Sequence, residues 1–108
     1  MDSSVVLDDL VGQFLAEAKG DLIGLWEIAR EVRQRTSSDD DAREEALAVV
    51  RELLARGLLV GDPPYAAAGY RPWTDQDPDR AIARIRTEWL ALGRMPNLPD
   101  IAWFGRRH

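Results

Sequence analysis

SSDDDAREEALAVVRELLARGLLVGDPP, residues 37–64, decides how the rest of the chain is read. Ser37 or Ser38 offers a side-chain oxygen to a backbone N–H that the first helical turn leaves without a partner. Asp39, Asp40, Asp41, Glu44 and Glu45 then set negative charge against the positive end of the helix dipole. Ala42, Ala46, Val49, Val50, Leu53 and Leu54 recur at helical spacing and predict one buried stripe. Gly57 predicts a left-handed stop. Leu58-Leu59-Val60 behind it is short and wholly apolar, which predicts a buried strand running into the turn Gly61-Asp62-Pro63-Pro64.

Upstream, residues 5–18 predict a first helix capped by Ser3 or Ser4, with Val6, Leu7, Leu10, Val11, Phe14, Leu15 and Ala18 on its apolar face. Gly20-Asp21 punctuates, and residues 22–35 predict a second helix burying Leu22, Leu25, Trp26, Ala29 and Val32, with Glu31 and Arg35 as an i,i+4 pair. Downstream of a small-residue run, Ala66–Gly69, the segment Tyr70-Arg71-Pro72-Trp73 predicts the returning strand of a hairpin. Its proline confines it to an edge. Asp77-Pro78 opens a fourth helix, residues 78–92, burying Ile82, Ile85, Trp89 and Leu92 and stopping at Gly93. Pro96–Pro99 reads as extended, and Ile101-Ala102-Trp103-Phe104 as an apolar segment that packs back as a strand or a lid. The expected fold is mainly α, a single domain over 1–108 of four helices with a small β-hairpin. Helix, glycine, strand and turn in that order match the last helix and wing of a winged helix-turn-helix.

That layout implies DNA, and the charges oppose it. Nineteen acidic and 14 basic side chains leave a formal charge of −5; residues 1–62 carry a net −7 and residues 63–108 a net +2. A recognition helix meets base edges through its N-terminal residues, flanked by phosphate. Here that end would bring five carboxylates to a groove that demands cations. Nucleic acid is therefore not the expected partner. The chain has no cysteine, which removes disulfides, thiol nucleophiles and cysteine-bound zinc. No apolar run reaches the roughly 18 residues needed to span a bilayer. A soluble, cytoplasmic protein is expected, without membrane association.

Few residues invite chemistry. The single histidine, His108, closes the sequence, and the four serines at 3, 4, 37 and 38 sit in cap positions. There is no glycine-rich phosphate loop and no histidine-based metal set, so neither catalytic residues nor metal ligands nor a cofactor is expected. The consecutive aspartates lack the alternation and the bend-forming glycine of a calcium loop. Asp39, Asp40, Asp41, Glu44 and Glu45 are candidates for binding a basic partner, though acids in a first helical turn also need no further reason. Asp75, Asp77 and Asp79 form a second acidic group in which Asp77 serves as a cap, leaving Asp75 and Asp79 free and Asp75 as the candidate. Of four tryptophans, Trp26 and Trp89 fall on apolar stripes; Trp73 and Trp103 are the candidates for partly exposed binding anchors, core packing being the alternative. Arg80, Arg84 and Arg86 give the fourth helix a basic face, either merely solvated or, with Arg106-Arg107, a surface for DNA.

LWEIAREV, ALAVVRELLARGLLVGD, YRPW and AIARIRTEWLALGRMPNLPDIAWF together resemble a family of small bacterial proteins, chiefly actinobacterial, associated with immunity to polymorphic or contact-dependent toxins. The resemblance spans roughly residues 22–104, and Glu88 to Phe104 is its most distinctive block. It implies a non-enzymatic protein, a monomer or small homo-oligomer, that neutralises a toxin by direct complex formation. Its expected partner is a basic toxin domain from an adjacent gene. A winged-helix transcriptional regulator is the alternative, and an adaptor docking through its aromatic tail is a third reading.

Overall fold

The computed structural model describes residues 3–64, 70–98 and 100–106, with side chains described from Leu7 onward. Element order is α1 (Ser3–Glu17), β1 (Ile23–Gly24), α2 (Leu25–Arg33), α3 (Asp39–Ala55), β2 (Leu59–Asp62), β3 (Arg71–Pro72), α4 (Pro78–Leu92) and β4 (Trp103–Gly105). Four helices stand with a four-stranded antiparallel sheet of order β1-β4-β2-β3. Helices dominate, but the class is mixed α/β, and the expected hairpin is only part of the sheet. The side chains of Ser3, Ser4 and Val6, the run Ala66–Gly69, and Pro99, Arg107 and His108 lie outside the described residues.

The third helix forms as its local chemistry dictates. Ser38 Oγ accepts from the Asp41 N–H at 3.1 Å, and Gly57, at φ 100°, ends the helix. Its stripe is buried throughout, with Leu47 added. α3 packs against α1, α2 and α4 and is the hub of the helical layer. At α4, Asp77 Oδ2 accepts from the Arg80 N–H at 3.0 Å, with Pro78 in the first turn and left-handed Gly93 at the stop. Ile82, Ile85 and Trp89 are buried on its inner face, while Leu92 is half-buried.

Two elements depart from expectation. The start of the expected second helix, residues 22–24, is extended: Ile23 pairs with Phe104 and Gly24 with Trp103, and the helix begins at Leu25. Ile28 takes the inward position, fully buried, and Trp26 lies half-buried beside the sheet. The apolar tail is neither lid nor edge. β4 lies between β1 and β2, with Val60 opposite Phe104 and Gly61 opposite Trp103. Val60, Phe104 and Ile23 face the helices and are inaccessible to solvent or nearly so. On the other face, a Cβ on Gly24 would sit 2.5 Å from Trp26 Cδ1 and 3.0 Å from Trp103 Cε2; one on Gly61 would sit 2.7 Å from the Tyr70 ring. Glycines at these two strand positions let the aromatic rings lie directly on the sheet.

β3 is held by a side chain. Trp73 N–H donates to Val60 O at 2.8 Å, but the reciprocal ladder bond is replaced by Gln76. Its Oε1 accepts from Val60 N–H at 2.8 Å, while Nε2 donates to Val60 O at 2.8 Å and to Trp73 O at 2.7 Å. Because Trp73 N–H points to β2, alternation turns the Pro72 nitrogen outward, where a free N–H would otherwise mark the sheet edge.

Two stability outcomes follow. Gln76→Ala strands the buried Val60 N–H and should cost about 1–3 kcal/mol by denaturant unfolding; a cost near zero would mean the β2–β3 end holds without the clamp. Trp89→Ala truncates a side chain only 4% exposed and should cost roughly 3–5 kcal/mol. An unchanged midpoint would place Trp89 outside the core.

Candidate functional site

Two concavities include Asp39 and Asp40, and Trp73 and Asp75, of the residues singled out from the sequence, while Asp41, Glu44, Glu45 and Trp103 line neither. One, about 270 Å³, lies where the N-terminus of α3 meets the C-terminus of α4 and is lined by Asp39, Asp40, Arg43, Trp89, Leu90 and Met95, among others. The other, about 560 Å³, lies between β3, the loop after it and α4, and includes Trp73, Asp75, Arg80 and Arg84. Asp39, Asp40 and Asp41 fill the first turn of α3, with Glu44 and Glu45 one turn on, and all five are exposed. The structure thus separates Asp75 from the other acids.

Most of these carboxylates face arginine. Arg33 Nε meets Asp39 at 2.7 Å, tying α2 to α3, and Arg43 lies 2.9 Å from both Asp40 and Glu44. Arg86 Nη2 reaches Glu44 at 2.7 Å, tying α4 to α3. The Arg86 hydrogen bond, with Arg43 behind it, holds the Glu44 carboxyl below the usual glutamate range. Asp75 is gripped by both Nε and Nη2 of Arg80, which lowers its pKa as well. Among the described residues only Asp41 and Glu45 of the first cluster lack an ion pair. Asp41 accepts from Ser37 Oγ at 3.4 Å.

The aromatic anchors are corrected. Trp73 is 8% exposed and Trp103 7%, so neither presents a ring to a partner. Trp73 Nε1 donates to Asp62 Oδ1 at 2.9 Å, and the Arg84 guanidinium covers its ring with Cζ 3.6 Å from the centroid. Trp103 Nε1 donates to Leu98 O at 3.2 Å. The exposed large apolar side chains are instead Leu90, at 57%, and Leu98, at 44%. Leu90 follows the buried Trp89 on α4 and borders the hollow lined by Asp39, Asp40, Arg43 and Arg94. Helical periodicity assigns it to the outer face, but nothing in the sequence sets it beside the α3 aspartates. Arg80, Arg84 and Arg86 are each paired with carboxylate, Arg84 to Glu88 at 2.8 Å, so the basic face of α4 is largely neutralised.

No group of three or more metal-ligating side chains is present among the described residues. Tyr70 is pushed up to about 12 by burial and its hydroxyl donates to Leu59 O at 2.8 Å, which makes it a brace between strands. Glu27 is raised by burial and then by Glu17, with Asp21 adding to both; the Gly24 backbone pulls the other way. No helix of the described residues is long and apolar enough to cross a membrane. Comparison with protein-family models, curated proteins and solved structures finds no match.

Because the folded state holds the Glu27 proton more tightly than the unfolded chain, its contribution to stability is full in acid. That contribution is lost as pH rises through the raised value. Glu27→Gln should therefore raise the melting temperature at pH 7, with the gain shrinking as pH falls towards the ordinary glutamate range. A gain that grew in acid would reverse the assignment.

Proposed function

We propose that this chain is a non-enzymatic protein-binding module, an immunity protein that neutralises a cognate toxin by direct complex formation. The observation that carries this reading is the face at the N-terminus of α3. Asp39 and Asp40 there rim a hollow together with Arg43 and Arg94, and its lining includes the exposed Leu90, with Met95 and Trp89. An apolar centre inside a charged rim is the composition of a protein interface. Asp41 and Glu45, free of arginine, supply the charge that orients a basic partner, and Leu90 supplies the apolar contact. The order of α2, α3, β2 and β3 supports a winged-helix-like layout in which α3 stands where DNA would be read. Its carboxylates turn that surface away from phosphate and towards a basic protein. A regulator binding DNA through Arg80, Arg84 and Arg86 is the second reading, and their ion pairs weaken it.

Co-expression with the product of the adjacent gene, followed by size exclusion at moderate salt, tests the class. A 1:1 complex with loss of the neighbour's toxicity is expected, whereas a protein that elutes alone and retards duplex DNA would overturn the reading. Reversing Asp39, Asp40 and Asp41 to lysine should weaken the complex at least about tenfold, or ~1.4 kcal/mol. The fold should survive, since each reversed charge at a helix start costs only about 0.3–1 kcal/mol. An unchanged dissociation constant would remove this face from the interface.

A further inference from the structure

The larger cleft, between β3 and α4, takes no part in the interface proposed above. Its volume, about 560 Å³, falls within the range of small-molecule sites. Three arginines and two aspartates line it, and their arrangement is uneven. Both carboxylates are already engaged. Asp62 accepts from Trp73 Nε1 at 2.9 Å, and Asp75 accepts from the Arg80 fork and from the Asp77 N–H at 3.0 Å. Arg84 is fixed between the Trp73 ring and Glu88. Arg71, across the cleft on β3, is exposed, and its guanidinium has no ion pair or hydrogen bond among the described residues. The exposed Thr74 hydroxyl likewise has no partner among them.

We infer that this cleft binds a small organic monocarboxylate, with Arg71 as the fork that receives the carboxylate and Thr74 as an accompanying donor. Guanidinium and carboxylate match as a planar two-bond pair. The choice between a carboxylate and a phosphate ester follows from which guanidinium is free: Arg80 is held by Asp75 and Arg84 by Glu88, so Arg71 alone among the three meets the ligand, one charge for one carboxylate. Arg80, locked by Asp75, and Arg84, locked on Trp73, form walls that do not have to be ordered when the ligand arrives. The exposed Pro72 gives the organic body of the ligand an apolar surface.

The test is a titration with sodium benzoate at fixed ionic strength, followed by two-dimensional ¹H–¹⁵N spectra. Saturable shifts are expected at the Trp73 indole N–H, the Thr74 amide and the Arg71 Nε–H, with inorganic phosphate binding more weakly. Arg71→Gln should weaken benzoate at least about tenfold, a charge-assisted bond being lost, and should leave the fold intact because the exposed guanidinium makes no hydrogen bond or ion pair among the described residues. Thr74→Val should give a smaller loss. Non-saturating shifts, equal affinity in Arg71→Gln, or tighter binding of phosphate than of benzoate would each overturn the assignment. None of these outcomes bears on the complex tested above, which involves the opposite end of α4.

Discussion

The structure depends on three residues, Trp103-Phe104-Gly105, lying between β1 and β2. Each neighbouring strand is too short to stand alone, and a two-stranded hairpin is at best marginal in water. With β4 in place, Phe104 is buried beneath the helices while opposing both Ile23 and Val60. Entry of the chain into this position is tightly set. Ala102 N–H donates to Asp100 O across Ile101, which stands at φ 62°, a conformation costly for a β-branched side chain. Asp100 in turn accepts from Asn97 N–H and Arg94, each at 2.7 Å. Asn97, Asp100 and Ile101 thus set the turn from which β4 enters the sheet.

Charge in this molecule is used between elements before it is offered outward. Arg33–Asp39 joins α2 to α3, and Arg86–Glu44 and Arg51–Asp79 join α3 to α4. Single exposed pairs contribute little, about 0–1 kcal/mol each. Their larger effect is on placement: each pair cancels locally, and the net charge of −5 is carried by the groups left over. Among the described residues Asp41 and Glu45 on α3 and Arg71 on β3 are left without an ion pair, and so are Asp8, Asp9, Glu17, Asp21 and Glu27 along α1 and the start of α2.

Helices were readable because their signals are local. Ser38, Gly57, Asp77-Pro78 and Gly93 mark boundaries within a turn or two, and the apolar periods of α3 and α4 settle their inner faces. Strand β1 was hidden because Ile23-Gly24 continues a helical apolar pattern; only a partner far along the chain makes it extended. Gln76 gave no signal, since one polar residue in a loop does not announce that it will complete a ladder. Trp73 and Trp103 read as exposed for a related reason: flanking turns and a terminal tail suggest surface, while the bonds to Asp62 and Leu98 that draw them inward are tertiary. The same holds for the candidate site. Its acids could be named from sequence, but not the arginines that answer them or the leucine beside them.

The pairing of residue 23 with residue 104 has a consequence for how the molecule comes into being. Contacts between distant parts of a chain are slow to form, because the loop they close must be ordered first. During synthesis α1, α2 and α3 emerge early and can associate through local contacts, yet the slot between β1 and β2 stays open until β4 appears. For that interval two apolar edges, Ile23 on one side and Val60 on the other, face each other without their central strand. The growing protein is then most exposed to pairing with a strand that is not its own.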